Sequence, residues 1–365
     1  MGRGLQGKKA SISAPLTFNY DFNGGGGSSD NNLSSTYREV LYYDVEFDTN
    51  YNEELAKDPS IPTSLLPSYT GTFVSTFVGD GNVLPDGITS DINLSDDNNQ
   101  QGDFHYLKTQ LDLDVTVNGK TFNDTVISEV YFYSAGYSFA PVYAKTFQKN
   151  TFISINVEES KVTTAQNIYE YTTVYNTTSY TITKKYYDVP KEEDINGVNI
   201  DNIDRSKLSD VEPAKTYNYT IKQSIDNTQL LFALRCLGVT TSAAVALPTI
   251  SPTYGDSKIL GVQNSSESLF DVNFTATIDG EKVKKADGTD AEQSFKMPVK
   301  KLLYSINGAD FVGMRQYVVL QREKCDDFNC YRALPVEYAE SLFEYGNLSS
   351  IGALKYSLTK MEVTK

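Results

Sequence analysis

The stretch "QLDLDVTVNGKTF", Gln110 to Phe122, alternates residue by residue: Leu111, Leu113, Val115 and Val117 face one way, Gln110, Asp112, Asp114 and Thr116 the other. A period of two marks a strand with one dry and one wet face. Asn118-Gly119 then supplies the positive φ angles of a two-residue hairpin turn, and "DTVISEVYFY" returns as the partner strand. The device recurs in "FDVNFTATIDGEKV", where Val272, Phe274, Ala276 and Ile278 precede Asp279-Gly280, and in "KKLLYSINGADFV" with Asn307-Gly308. Patterns that match without matching identities point to hairpin physics used repeatedly rather than to a duplication. The chain is predicted to be mainly β and antiparallel.

One segment breaks the alternation. In "DNTQLLFALRCLG", Asp226 is a suitable N-cap, Leu230, Leu231 and Leu234 form an apolar stripe at helical spacing, and Gly238 suits the end. A helix this short is unstable alone in water, so it must dock on apolar surface. The inner faces of the strands are the large apolar surface on offer. The expected fold is therefore a strongly curved, open barrel-like antiparallel sheet with this helix as a plug in its concave face.

Along the chain, residues 1–35 end in a Gly-, Ser- and Asn-rich run that reads as a flexible tail. Residues 36–365 read as a β-rich domain of two halves, 36–189 and 216–365. They are joined by 190–215, an aperiodic acidic stretch expected to be an exposed excursion. In "NIYEYTTVYNTTSYTITKKYYDV", Thr and Tyr alternate at strand spacing, which suits a mildly amphipathic face of rings and hydroxyls.

Acidic residues outnumber basic ones, 47 to 32, for a net charge of -15. That balance excludes a nucleic-acid footprint, which needs clustered cations, and disfavours docking on anionic lipid. No run reaches the roughly 18 apolar residues of a transmembrane segment, and "MGRGLQGKKA" has no apolar centre to serve as a signal peptide. An export signal, if the protein had one, is expected to have been removed.

Catalytic signals are scarce. His105 is the single histidine and no nucleophile motif accompanies it, so an exposed or edge-strand histidine is the expected reading and no catalytic residue is assigned. Aligning Gly197 with the glycine of a calcium loop puts Glu192, Asp194 and Asn196 at ligand positions but Ile203 where the bidentate acid belongs. A plain acidic loop follows; no metal and no cofactor is expected. Cys325 and Cys330 flank "DDFN", a spacing that permits a disulfide across a tight hairpin, while Cys236 reads as a small buried hydrophobe. Sequons at Asn93, Asn123, Asn176, Asn218 and Asn273 are what a chain rich in Asn, Ser and Thr produces by chance.

The helix motif, with Asp226 opening a turn that carries Leu230, Leu231, Leu234 and Arg235, resembles one in uncharacterised bacterial extracytoplasmic β-rich proteins of LolA-like, lipoprotein-carrier-like shape. Upstream, "EVYFYSAGYSFAPVYAKTF" looks like the strand, small-residue turn, proline and strand that precede that helix. The likeness runs in loose order from Thr36 to Val363 and rests on these two motifs. Asn227 stands where the family has proline, and the acidic excursion has no counterpart. What the resemblance implies is an exported, non-enzymatic protein whose sheet and helix hold a lipid or other apolar ligand. The alternative is a structural or adhesive surface protein that meets a glycan or protein partner through exposed tyrosines.

Overall fold

The structure, a computed structural model, describes residues 36–48, 65–92, 104–133, 139–156, 158–188, 195–219, 224–236, 245–252, 257–306, 316–341 and 353–365. The predicted tail, 1–35, and the turn at Asn307-Gly308 lie outside these residues. Seven strands form the first half: β1 (Arg38–Asp48), β2 (Ser68–Asn82), β3 (Phe104–Val117), β4 (Lys120–Phe132), β5 (Pro141–Asn156), β6 (Lys161–Tyr175) and β7 (Ser179–Tyr187). Three short ones follow, β8 (Leu208–Asp210), β9 (Lys215–Asn218) and β10 (Ile225–Asp226). After the helix come β11 (Val245–Ile250), β12 (Ser257–Asn273), β13 (Thr275–Ile278), β14 (Glu281–Lys282), β15 (Ser294–Ile306), β16 (Gln316–Gln321), β17 (Pro335–Ser341) and β18 (Ala353–Thr364).

All of them belong to one large, curved sheet. Strands β1 to β7 form an antiparallel meander. The other edge of β1 is taken by β18, from Arg38 opposite Thr364 to Asp48 opposite Ala353. Beyond β18 the sheet continues through β17, β16, β15, β12 and β11 to β10. The turn chemistry read from the sequence is realised: Asn118 and Gly119 have φ of 50° and 76°, Asp279 and Gly280 of 52° and 81°. These are the left-handed values of a tight hairpin.

The alternation also sets the inner face. Leu111, Leu113, Val115 and Val117 are all buried, and they join one hydrophobic core with Leu41, Tyr43 and Val45 of β1, Leu354, Tyr356 and Leu358 of β18, and Val318 and Leu320 of β16. Both halves of the chain thus share a single core. Where β2 crosses β3 the backbones are very close: a Cβ added at Gly71 would lie 2.0 Å from the Asp112 carbonyl oxygen.

The curve does not close into a barrel. On one side the outer edge of β7 is taken by β8 and β9. On the other, β10 approaches β5 and β6 through side chains: the Tyr175 hydroxyl on β6 donates to Asp226 Oδ2 at 2.5 Å. Most of the described part of the acidic segment, Asp204–Lys207 and Ser209–Lys215, is exposed, as expected of an excursion, but its start packs down on the sheet. Its 3-10 turns at Ile195–Gly197 and Ile200–Asn202 bring Ile200 into a second, smaller core with Phe147, Ile168 and Tyr187, on the outer face of the sheet. Lys149 anchors them, its Nζ donating to the Val198 carbonyl at 3.0 Å.

Candidate functional site

The concave face is divided by the helix. α1 (Leu230–Cys236) follows a 3-10 turn at Asn227–Gln229, and Asp226 caps the pair. Its Oδ1 accepts from the Thr228 N–H at 2.8 Å, while its own N–H donates to Gln229 Oε1 at 2.9 Å. This reciprocal capping box satisfies two donors that a helix start would otherwise leave bare. Gln229 Nε2 also donates to the Phe139 carbonyl at 3.2 Å, tying the cap to the residues before β5. Burial raises the Asp226 carboxyl above its ordinary range, although hydrogen bonds from Tyr175 and Thr228 oppose it.

The predicted leucine stripe is only partly the buried face. Leu234 is buried, but Leu230 and Leu231 are half-buried. The centre of the plug is Phe232, stacked on Phe77 with ring centroids 4.5 Å apart and with Phe139 and Phe132 at 5.8 and 6.1 Å. Phe232, Ala233, Leu234, Arg235 and Cys236 are consecutive and all buried. A helix enclosed on every side buries consecutive residues, whereas the stripe assumed one laid on a surface.

Arg235 gives the plug a polar lock that sequence reading missed. Its guanidinium bonds both oxygens of Glu39 on β1, at 2.5 and 3.1 Å, and Arg332 Nε reaches the same carboxylate at 2.9 Å. Arg235 Nη2 also donates to the Arg332 carbonyl at 3.0 Å. All three side chains are at most 3% exposed. Burial works against the Arg235 charge, but the Glu39 carboxylate beside it more than compensates and holds the guanidinium protonated. The partners lie 196 and 293 residues from Glu39, so no local motif could announce them.

Away from the helix the same face changes character. β5 and β6 stay in register from Tyr143 opposite Val174 to Asn156 opposite Lys161, and β6 and β7 from Tyr169 opposite Tyr186 to Tyr175 opposite Tyr180. Residues two apart therefore share a face. Val142, Ala144, Tyr175, Tyr180 and Ile182 belong to the main core. Followed outward, that face presents Thr146, Gln148 and Asn150 on β5, Thr173, Tyr171 and Tyr169 on β6, and Lys184 and Tyr186 on β7. Ser128 of β4 and Thr146 share a hydroxyl hydrogen bond of 3.0 Å. Lys184 Nζ sits over the Tyr169 and Tyr171 rings, 4.5 and 5.4 Å from their centroids, and Tyr186 lies 5.4 Å from Tyr169. Asn150 Oδ1 and Thr173 Oγ1 are buried with no hydrogen-bond partner among the described residues. Such atoms lose the solvation of water without replacement unless something polar meets them.

The other residues singled out in the sequence fall elsewhere. His105 is not at an exposed edge: β3 is central, the ring is 1% exposed, and it lies edge-on to Phe77 and Phe132. Burial pushes its pKa down to about 4, against a hydrogen bond to the Gly79 backbone. Cys325 and Cys330 are not bridged; both are free thiols, and Cys325 lies in a turn closed by Phe328. Cys236 is buried, as a small hydrophobe would be. Glu192 and Asp194 lie outside the described residues, and Asn196 spends its amide on the sheet, accepting from the Asn123 N–H at 2.7 Å. Asn93 also lies outside the described residues. Among the described residues no group of three metal-ligating side chains converges, and no helix is long and apolar enough to cross a membrane.

Comparison with known proteins adds a likeness to a solved structure. No family profile matches the chain, and no curated protein does. The chain is similar to a beta-barrel-like protein of a domain of unknown function, DUF1849, from Brucella abortus, with a TM-score of 0.45 and 9% identity over 91% of this chain and 100% of that one. No family assignment follows.

Proposed function

We propose that this chain is a non-enzymatic binding protein that works outside the cytoplasm and takes its ligand on the concave face of the sheet. The observation that carries the reading is the composition of that face: one part is sealed by α1, and the remainder presents rings, amides and a lysine in place of a continued apolar core. Dense apolar packing is the norm for an interior, so a wall of polar atoms is retained for a reason. The burial of His105 among phenylalanines supports the non-catalytic reading, since a base there is held from solvent. The extracytoplasmic location rests on the resemblance of the helix motif to exported carriers.

The lipid-carrier version of this reading meets a physical obstacle. The apolar part of the concavity is already filled by Phe232, so a lipid would have to displace α1 and break the Arg235–Glu39 pair. Differential scanning fluorimetry across ligand classes tests the proposal. A melting temperature raised by at least one soluble ligand class, and lost on substituting concave-face residues, is expected. No shift with lipids, sugars, peptides or nucleotides would overturn it. The adhesive alternative would instead show binding that survives every concave-face substitution.

A further inference from the structure

Lys184 is the most unusual cation of the concave face. In a chain whose acids outnumber its bases by 47 to 32, a half-buried lysine would be expected to find a carboxylate. None among the described residues pairs with it. Its Nζ is held instead over two tyrosine rings, 4.5 and 5.4 Å from their centroids. A cation over ring faces keeps an electrostatic partner without being neutralised, so its charge stays available to an incoming anion. Lys185, the next residue, lies opposite Glu170 on the other face.

Two further features define what could sit there. Tyr169 and Tyr186 are half-buried, with ring centroids 5.4 Å apart and planes tilted by 56°, and offer apolar ring area edged by hydroxyls. Beside them on the same face are the Gln148 side chain, 3% exposed, and the buried Asn150 Oδ1 and Thr173 Oγ1, neither of which has a hydrogen-bond partner among the described residues. A ligand with a flat C–H face and one negative charge would meet the half-buried tyrosines and the lysine together.

We propose that the stretch formed by Gln148, Tyr169, Tyr171, Lys184 and Tyr186 binds a carboxylated sugar, its C–H face on the tyrosines and its carboxylate at Lys184. The proposal rests on the binding-protein reading above and names the ligand class for it. Charge complementarity selects the acidic sugar over a neutral one: the lysine has no anionic partner among the described residues, and removing its charge should erase the preference. Discrimination by one charge-assisted contact of this kind is commonly tenfold or more.

Isothermal titration calorimetry of the full chain with tetragalacturonate and with maltotetraose tests this. The expected result is binding of tetragalacturonate at least about tenfold tighter than maltotetraose, and loss of that margin in Lys184→Met, which keeps the aliphatic stem. Tyr169→Leu should weaken both sugars. Lys184→Met involves a half-buried residue with no ion pair to break among the described residues, so it is expected to keep the wild-type melting temperature, and saturation-transfer NMR on the unmodified chain provides a second readout that needs no variant. Equal affinity for the two sugars, an unchanged margin in Lys184→Met, or no binding of either would overturn the assignment. A fatty acid that raises the melting temperature while both sugars are inert would overturn the sugar and leave the binding reading standing; silence from every ligand class would remove both.

Discussion

Asp124 and His105 pull stability in opposite directions with pH. The Asp124 carboxyl accepts from the Thr151 N–H and hydroxyl at 2.7 and 2.5 Å, yet burial outweighs these bonds and pushes its pKa up to about 6 from 3.8. Native Asp124 therefore keeps a proton that the unfolded chain releases, and its contribution to stability falls as pH rises from about 4 to 6, by roughly 2–3 kcal/mol. His105 does the reverse: its native pKa of about 4 against 6.5 means the unfolded chain gains the proton first, so stability falls as pH drops through that window. The two nearly cancel in the wild type. Urea midpoints of Asp124→Asn and His105→Phe between pH 4 and 7 are expected to show slopes of opposite sign relative to wild type. Parallel curves for wild type and either variant would contradict the assignment of that residue. Gly71 makes the third residue-scale case. The Asp112 carbonyl leaves no room for a methyl group, so Gly71→Ala should destabilise by about 1–3 kcal/mol or more, read from the same titration.

At the scale of elements, α1 concentrates the tests. Truncating Phe232 to Ala removes a ring stacked among Phe77, Phe132 and Phe139 and should cost about 3–5 kcal/mol. Leu231→Ala, at a half-buried position, should cost clearly less, and a denaturant titration that ranks Leu231 above Phe232 would refute the description of the plug. Glu39→Gln leaves two buried guanidiniums without their shared anion, a loss of about 3–5 kcal/mol for breaking a buried pair from one side. Much of this element was legible beforehand. Asp226 as N-cap, the brevity of the helix and its need for an apolar host all follow from local residue chemistry. Phe232 stood in the same motif, but a period count weighs leucine spacing and cannot say how many sides will be enclosed. The Glu39–Arg235–Arg332 lock was invisible, because charges brought together across hundreds of residues leave no mark at helical or strand spacing.

For the whole molecule, β18 is the seam. It pairs along its length with β1 and along parts of its other edge with β17 and β13, so it joins the first-half meander to everything after the helix. A chain ended before Ala353 loses those ladders together with Leu354, Tyr356, Leu358 and Met361 from the core. It is expected to show no cooperative unfolding transition by circular dichroism, whereas the full chain should give coincident near- and far-ultraviolet transitions. Two separated transitions in the full chain would mean that the halves have independent cores.

What the sequence by itself determined is local: alternation of period two, the Asn118-Gly119 and Asp279-Gly280 turns, and a capped helix too short to stand alone. Those depend on backbone sterics and on which side chains neighbour each other within a few residues, and such rules are written in order along the chain. Only the tertiary structure decided which face of the helix counts, which carboxylate receives Arg235, that the start of the acidic segment lies against the outer sheet, and that Lys184 settles over two tyrosines with no acid paired to it among the described residues. Each of these depends on distance through space after the sheet has curved, and curvature accumulates from strand twist over many residues rather than from any one of them.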